Sequence, residues 1–219
     1  MRKLLIAIAA VSFCVTGCRN SPGGGLYLDP MTVSELLVAN LSSPASYFVY
    51  TTSLGYTPLV LGGVAGADAR CMSDSAYPGS GIYKALIVDG TTRRACSTAN
   101  CAGGWTEHIN WVLRPGATYR RLVSRQTIAT TMASAGIFVF PLTNSLDSSG
   151  LYYAAGFAST ADWQTAANTC TGWSSAAGLG EIGDLTGTTS AAIFATSAVC
   201  TAPENVCNNE HGFTSCQSS

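Results

Sequence analysis

Short runs of apolar, aromatic and β-branched residues recur along the chain from residue 47 onward, and turns rich in Gly, Pro, Ser and Asp separate them. Runs of this kind predict short β-strands. We place strands at residues 47–52, 82–88, 118–123, 137–141 and 151–157. The connections between them are long and lack periodicity, so much of the chain is expected to form loops.

One stretch, residues 62–71, has the spacing of a turn followed by a short helix. It opens with Gly62-Gly63, and it places Ala67 and Cys71 four residues apart, on one face of a helix at residues 65–74. Short strands, one or two short helices and long loops together predict a single α+β domain. Roughly 160 residues, 47–210, are enough to bury a hydrophobic core.

The N-terminus predicts export and lipidation. Arg2 and Lys3 precede an apolar run at residues 4–15, which is shorter than the about 20 residues that a membrane span needs. The run ends in Val15-Thr16-Gly17-Cys18, which resembles a bacterial lipobox whose cysteine is acylated and becomes the first mature residue. We therefore expect a lipid anchor on Cys18; an ordinary secretory signal is the alternative.

These features divide the chain into four parts. Residues 1–17 are expected to be a signal peptide, and residues 18–46 the lipidated N-terminus with a flexible tether. Residues 47–210 form the predicted domain, and residues 211–219 form a polar tail.

Charge is sparse and unevenly distributed. Charged residues make up 11% of the chain, less than half of the usual ~25%. The net charge of −1 gives no global attraction to nucleic acid or membranes. However, residues 84–125 carry seven basic side chains against two acidic ones, and no Lys or Arg follows Gln126.

Arginine clamps sulfate, phosphate and carboxylate groups with two hydrogen bonds. The basic stretch therefore supplies a candidate polyanion-binding set: Arg93, Arg94, Arg120, Arg121 and Arg125. A solvated face paired with the acids of the C-terminal half is the alternative.

The nine cysteines predict a disulfide-bonded protein of an oxidising compartment. Cys14 lies in the signal peptide and Cys18 is the expected lipid site. Seven cysteines remain: Cys71, Cys96, Cys101, Cys170, Cys200, Cys207 and Cys216. Spacing alone does not define their pairing, although Cys96–Cys101 is the shortest local bridge. Cys216, in the polar tail, is the candidate for the odd thiol.

Candidate catalytic and metal-binding groups are few. His108 and His211 are the two histidines, and no nucleophile elbow accompanies them. A zinc site made by Cys96, Cys101 and His108 is a weaker alternative to the local bridge. We predict no catalytic residue, metal or cofactor.

The four tryptophans could form sugar-stacking platforms. We expect Trp111, Trp163 and Trp173 to lie in the core instead. Trp105 follows Gly103-Gly104 in a cysteine-closed loop, so it is the tryptophan expected to be exposed.

Several separate motifs occur in a fixed order along the chain. They are Gly62-Gly63-Val64-Ala65-Gly66-Ala67-Asp68-Ala69-Arg70-Cys71, then residues 83–90, 93–96, 111–115 and 136–138, then Trp163, Cys170, Trp173, Cys200 and Cys207. In this arrangement the sequence resembles the DUF1554 family, domains of unknown function found mostly in Leptospira lipoproteins. The glycine–alanine–aspartate–cysteine helix is also similar to the start of endostatin, a collagen-derived C-type-lectin-like domain.

The resemblance implies a C-type-lectin-like fold with a distorted mixed sheet, adjacent chain ends and two nested bridges, Cys71–Cys207 and Cys170–Cys200. It does not imply the metal sites of those proteins. The Trp-Asn-Asp run that ligates calcium in lectins is missing, and so are the N-terminal zinc-binding histidines of endostatin.

Together these features predict a lipid-anchored protein of the cell envelope, at the outer membrane or cell surface. We expect a non-enzymatic binding or adhesion module whose partners are host glycosaminoglycans or matrix glycoproteins, and not nucleic acid. A structural envelope lipoprotein without an external ligand is the first alternative. A hydrolase that places His108 or His211 in a cleft beside a nucleophile is the second.

Overall fold

The structure, a computed structural model, describes residues 46–149 and 152–203 and the backbone of residues 208–209. These residues belong to a compact unit, Pro44–Ser219. Three predicted features lie outside the described residues: the lipid site Cys18, the expected partner of Cys71 at Cys207, and the candidate odd thiol Cys216. His211 lies outside them as well.

The described residues combine short strands and short helices, which confirms the α+β class. The strands are β1 Ser46–Val49, β2 Tyr83–Lys84, β3 Thr118–Arg121, β4 Thr127–Thr130, β5 Tyr152–Ala154, β6 Leu179–Asp184, β7 Thr196–Val199 and β8 Asn208–Asn209. The α-helices are α1 Pro58–Leu61, α2 Val64–Ser73 and α3 Cys170–Trp173. Short 3-10 helices lie at Ala99–Cys101, Gly104–Glu107 and Ser190–Ala192.

The described residues form three small sheets, whereas the resemblance implied a single distorted mixed sheet. In the first, β1 runs parallel to β3, and β3 is antiparallel to β4. The second pairs β2 with β8, and the third has the order β5-β6-β7; both are antiparallel. The strand predicted at 82–88 is therefore only two residues long. The one predicted at 137–141 is wrong, since that segment joins no sheet and contains a cis Phe140–Pro141 bond.

Helix α2 lies within one residue of its predicted bounds. Steric constraints explain the glycine within the helix and the one that precedes it. Gly66 approaches α1 so closely that a Cβ atom would lie 1.5 Å from the carbonyl oxygen of Leu61. Gly63, which precedes the helix, has a φ of 91°, a conformation that glycine adopts without steric cost. Ala67 and Cys71 are both fully buried, as their shared helix face predicts.

Aromatic side chains fill the larger of two hydrophobic cores. The buried Trp163 stacks on Phe140 with ring centroids 5.8 Å apart, and it meets Trp111, Phe138 and Phe157 edge-on. Trp163 also donates its ring N–H to the carbonyl oxygen of Phe138. Such contacts combine a large buried area with defined geometry, and here they hold irregular segments in place.

Disulfides fasten two further loops. Cys96 is bonded to Cys101, and Cys170 to Cys200, so both of these predicted pairs are present. Cys71 is disulfide-bonded as well. Its pairing with Cys207 stays a prediction, because Cys207 is not among the described residues.

Candidate functional site

The five candidate arginines do not form one surface, and Arg93 is not on the surface at all. Arg93 is 0% exposed. Its guanidinium donates to the two carboxylate oxygens of Asp68 at 2.9 and 2.7 Å, and to the carbonyl oxygens of Ala85 and Asn110. A buried arginine with these acceptors cannot reach a ligand, so the prediction that Arg93 helps to bind polyanions is wrong.

Arg94 is half-buried and lies apart from the other candidates. Its Nε donates to the carbonyl oxygen of Glu107 at 3.0 Å, and its backbone pairs with that of Ile109. Within the described part of the chain, no hydrogen bond or ring contact joins Arg94 to the arginines of the β3–β4 hairpin.

Arg120, Arg121 and Arg125 do come together on the β3–β4 hairpin, but Arg121 is used internally. Its guanidinium donates to the carbonyl oxygens of Ser145 and Asp147 and to the amide oxygen of Gln126. These bonds tie the hairpin to the segment after β4. We therefore assign Arg121 a structural role and retain the other two arginines as candidates for binding.

Arg120 and Arg125 carry charge that the described residues do not neutralise. Arg120 makes one long hydrogen bond, 3.5 Å, to the carbonyl oxygen of Arg125. The side chain of Arg125 is exposed, and its guanidinium lies 4.3 Å from the ring centroid of Phe48. No carboxylate of the described residues lies within ion-pair distance of either arginine.

Phe48 brings these groups to one side of the first sheet. It lies opposite Arg120 in the parallel β1–β3 register, and side chains at such paired positions emerge from the same face. The contact with the ring is a cation–π interaction, which favours this position of the Arg125 guanidinium.

A cleft of about 330 Å³ opens beside this pair. It is lined by Phe48, Pro78, Ser80, Gly81, Tyr83, Leu122 and Arg125. Of the described residues in this lining, Arg125 alone is charged. We call this site the Phe48–Arg125 cleft.

Tyr83 forms the polar part of the cleft floor. It is only 2% exposed, and its hydroxyl has no hydrogen-bond partner among the described residues. Burial, reinforced by nearby Tyr77 and opposed by Arg125, raises the pKa of Tyr83 to about 12. The phenol is therefore protonated at neutral pH and is able to donate a hydrogen bond.

A second cleft, of about 200 Å³, shares Leu122 with the first. Its charged residues, Arg121 and Asp147, already have partners: Arg121 donates to the Asp147 carbonyl oxygen, and Thr51 donates to the Asp147 carboxylate. Leu122 belongs to both linings. One cleft has a cation without a described carboxylate partner, and the charges of the other are used internally.

The loop closed by Cys96 and Cys101 does not form the zinc site weighed against the disulfide, because the two sulfurs are bonded to each other. The ring nitrogens of His108 face the carbonyl oxygens of Ala95 and Ala135. Within residues 46–149 and 152–203, no three His, Cys, Asp or Glu side chains are placed to hold a metal ion.

The predictions for the tryptophans are confirmed. Trp111, Trp163 and Trp173 are 4%, 0% and 1% exposed, whereas Trp105 is 40% exposed. Trp105 packs edge-on against His108 with ring centroids 4.5 Å apart. The exposed indole is thus supported on one side by the His108 ring.

Phe48 and Tyr83 were not predicted as site residues, because each belongs to a run that simply indicates a strand. The available signal was weak: an aromatic residue in each of two strands, and a turn that combines Leu122-Val123 with arginines. The pairing of β1 with β3 and the shared lining of the cleft show that these segments meet.

Fold and site define a small, disulfide-bonded α+β domain in which a cation without a described carboxylate partner lies beside a surface cleft. The family model described as "Protein of unknown function (DUF1554)" matches residues 57–191, more than half of the chain. The protein belongs to the DUF1554 family. The matched range contains Tyr83, Arg120 and Arg125, whereas Phe48 precedes it.

No curated protein matches the chain. Among the helices of the described residues, none has the length and apolar character needed to cross a bilayer.

Proposed function

We propose that this protein is a non-enzymatic binding module of the cell envelope that holds anionic glycans at the β3–β4 hairpin. The observation that carries the proposal is the shared face of Arg120 and Arg125, which have no carboxylate partner among the described residues. Guanidinium groups that the protein leaves unneutralised attract sulfates and carboxylates and bind them with charge-assisted hydrogen bonds.

We place the protein at the outer membrane or cell surface, anchored through acyl chains on Cys18. Each buried methylene of an acyl chain contributes about 0.8 kcal/mol, and two or more chains give stable attachment. A Cys18→Ala variant should lose both the acyl mass and the fractionation with membranes. Membrane association that survives this change would contradict the anchor.

We also infer a C-type-lectin-like arrangement of the domain. Two features support it: β8 contacts β1 and pairs with β2, which brings the two ends of the domain together, and Cys170–Cys200 would be the inner of two nested bridges. A non-reduced peptide map should contain a Cys71–Cys207 peptide. A Cys71–Cys216 peptide would contradict the arrangement.

The glycan-binding proposal is tested with heparin oligosaccharides and two double variants. We expect Arg120→Ala/Arg125→Ala to weaken binding at least about tenfold, since each charge-assisted hydrogen bond contributes about 1.5–3 kcal/mol before solvent screening. The control, Arg70→Ala/Arg94→Ala, removes the same charge away from the hairpin and should change the Kd by less than about twofold, because contact and not net charge decides the affinity.

An equal loss of heparin affinity in the two double variants would overturn the hairpin as the binding site. A glycan and matrix array that stays blank at micromolar protein would instead favour the structural-envelope alternative.

A further inference from the structure

We infer that the Phe48–Arg125 cleft is a subsite for a single sugar ring that carries one negative charge, either a carboxylate or a sulfate ester. This inference rests on the proposed function, and it names the unit of the polyanionic glycan that the domain recognises.

The charge of the cleft matches a monoanion. Among the described residues that line it, Arg125 alone is charged, and none of the described carboxylates lies within ion-pair distance of it. A doubly charged phosphate would keep one charge uncompensated, and a cation would be repelled. A carboxylate or sulfate ester satisfies one guanidinium with two parallel hydrogen bonds.

Arg125 is oriented before any ligand arrives. Its guanidinium lies over the Phe48 ring, 4.3 Å from the centroid, so the aromatic face restricts the side chain. A side chain that is already ordered loses less conformational entropy on binding. The planar edge of the guanidinium then meets a planar carboxylate with the geometry that a lysine could not reproduce.

Tyr83 adds a second polar group to the cleft. The residue is 2% exposed and lines the cleft, and its hydroxyl makes no hydrogen bond to another described residue. A hydroxyl or anionic oxygen of a ligand in the cleft would give this hydroxyl an acceptor, and Ser80 lies in the lining as a further hydroxyl group.

The remaining walls suit the carbon face of a sugar ring. Phe48, Pro78 and Leu122 are apolar, and ligand pockets typically combine such walls with a few placed polar groups. The volume of about 330 Å³ is at the lower end of the about 300–1,000 Å³ of ligand sites, which fits one ring and not a chain of rings. Arg120, on the same face but outside the lining, is placed for a neighbouring charged unit.

The test uses the full-length mature protein and three small probes: a glucuronate-containing disaccharide, its neutral methyl ester, and monosulfated N-acetylglucosamine. The key variant is Tyr83→Phe, which removes only the unpartnered hydroxyl and should not reduce stability. The matched control is Tyr47→Phe, since Tyr47 stacks on Tyr119 and does not line the cleft.

We expect Tyr83→Phe to raise the Kd for the charged probe about fivefold, the value of one hydrogen bond, and Tyr47→Phe to leave it unchanged. Arg125→Lys should weaken binding at least as much, and the methyl ester should not bind. Binding of the glucuronate but not of the sulfated sugar assigns the site to uronates; the reverse assigns it to sulfated rings.

Equal Kd values for the wild type and Tyr83→Phe, or equal binding of the methyl ester, would overturn the subsite. This failure differs from that of the proposed function. If the affinity for heparin depends on Arg120 and Arg125 but the affinity for the disaccharide does not change in Tyr83→Phe, the hairpin function is supported and the subsite is rejected. If the affinity for heparin does not depend on either arginine but the disaccharide binds less tightly to Tyr83→Phe, the hairpin function is rejected and the cleft is a separate binding site.

Discussion

The guanidinium of Arg93 lies 2.7 Å from a carboxylate oxygen of Asp68, with the arginine side chain completely shielded and the aspartate side chain 21% exposed. The same aspartate accepts a hydrogen bond from the backbone N–H of Ala85 at 2.8 Å. One carboxylate of helix α2 therefore fastens the helix to the segment that leads from β2 to Arg93. The pair explains why an arginine of the basic stretch is directed inward.

Replacing Arg93 by Met should destabilise the domain by about 3 kcal/mol, at the low end of the cost of breaking a buried ion pair, because Asp68 keeps partial access to water. Urea unfolding under non-reducing conditions measures the change. Arg94→Met, which removes a half-buried neighbour, serves as the control and should cost less than about 1 kcal/mol. Equal unfolding midpoints for the two variants would contradict the structural role of Arg93.

Gly66→Ala should be strongly destabilising. In an ordinary helix this substitution stabilises by roughly 0.5–1 kcal/mol, but here the new Cβ would lie 1.5 Å from the Leu61 carbonyl oxygen. Helix α1 would have to move away from α2, so we expect a loss of about 3 kcal/mol or more. Ala69→Gly, on the exposed side of the same helix, should cost only about 1 kcal/mol. A thermal unfolding curve for Gly66→Ala that matches the wild type would refute the close approach.

Glu107 should make stability depend on acid pH. The pKa of Glu107 is lowered from 4.5 to about 2. The largest cause is the hydrogen bond from the Thr98 hydroxyl. Burial opposes this effect, and hydrogen bonds from the backbone N–H groups of Thr98 and Gly103 reinforce it. Since the folded-state pKa is the lower one, this contribution is present above about pH 4.5 and is lost as the pH falls toward 2.

The corresponding measurement compares the wild type with Glu107→Gln across this range. The difference in unfolding free energy should be largest above about pH 5 and should shrink toward pH 2. A difference that stays constant with pH would show that the carboxylate charge does not stabilise this loop.

The two described disulfides should differ in their contribution to stability. Cys96–Cys101 closes a separation of 5 residues and Cys170–Cys200 one of 30. The chain-entropy relation then gives about 2 kcal/mol for the first and about 3.5 kcal/mol for the second. Paired Cys→Ala variants, compared by denaturant unfolding, should follow that order. A larger loss for Cys96→Ala/Cys101→Ala would show that local packing and not loop entropy dominates.

Local patterns in the sequence identified the elements whose signal is local. The four-residue spacing of Ala67 and Cys71 located helix α2, and the short loop between Cys96 and Cys101 indicated their bond. Strand β6 was missed because its glycines are typical of loops. Both serve packing: a Cβ on Gly180 would lie 2.7 Å from the Cys170 sulfur, and one on Gly183 would lie 2.4 Å from the Tyr153 ring.

The candidate site was only half predictable, because its chemistry depends on pairings across long stretches of chain. Arg93 and Arg125 belong to the same basic stretch. One meets Asp68, 25 positions away, and is buried; the other meets Phe48 of a distant strand and faces a cleft. Composition identifies both as arginines of a basic segment, but only the tertiary contacts separate a structural residue from a binding residue.

The packing around Gly180 has a spectroscopic consequence. A Cβ atom at that position would lie 2.7 Å from the Cys170 sulfur and 2.9 Å from the Trp173 ring, so the indole and the Cys170–Cys200 bond are close neighbours. A disulfide near an excited indole quenches its emission by accepting an electron. We therefore expect Trp173 to fluoresce weakly in the oxidised domain and more strongly once this bridge is reduced, which gives a label-free readout of its redox state.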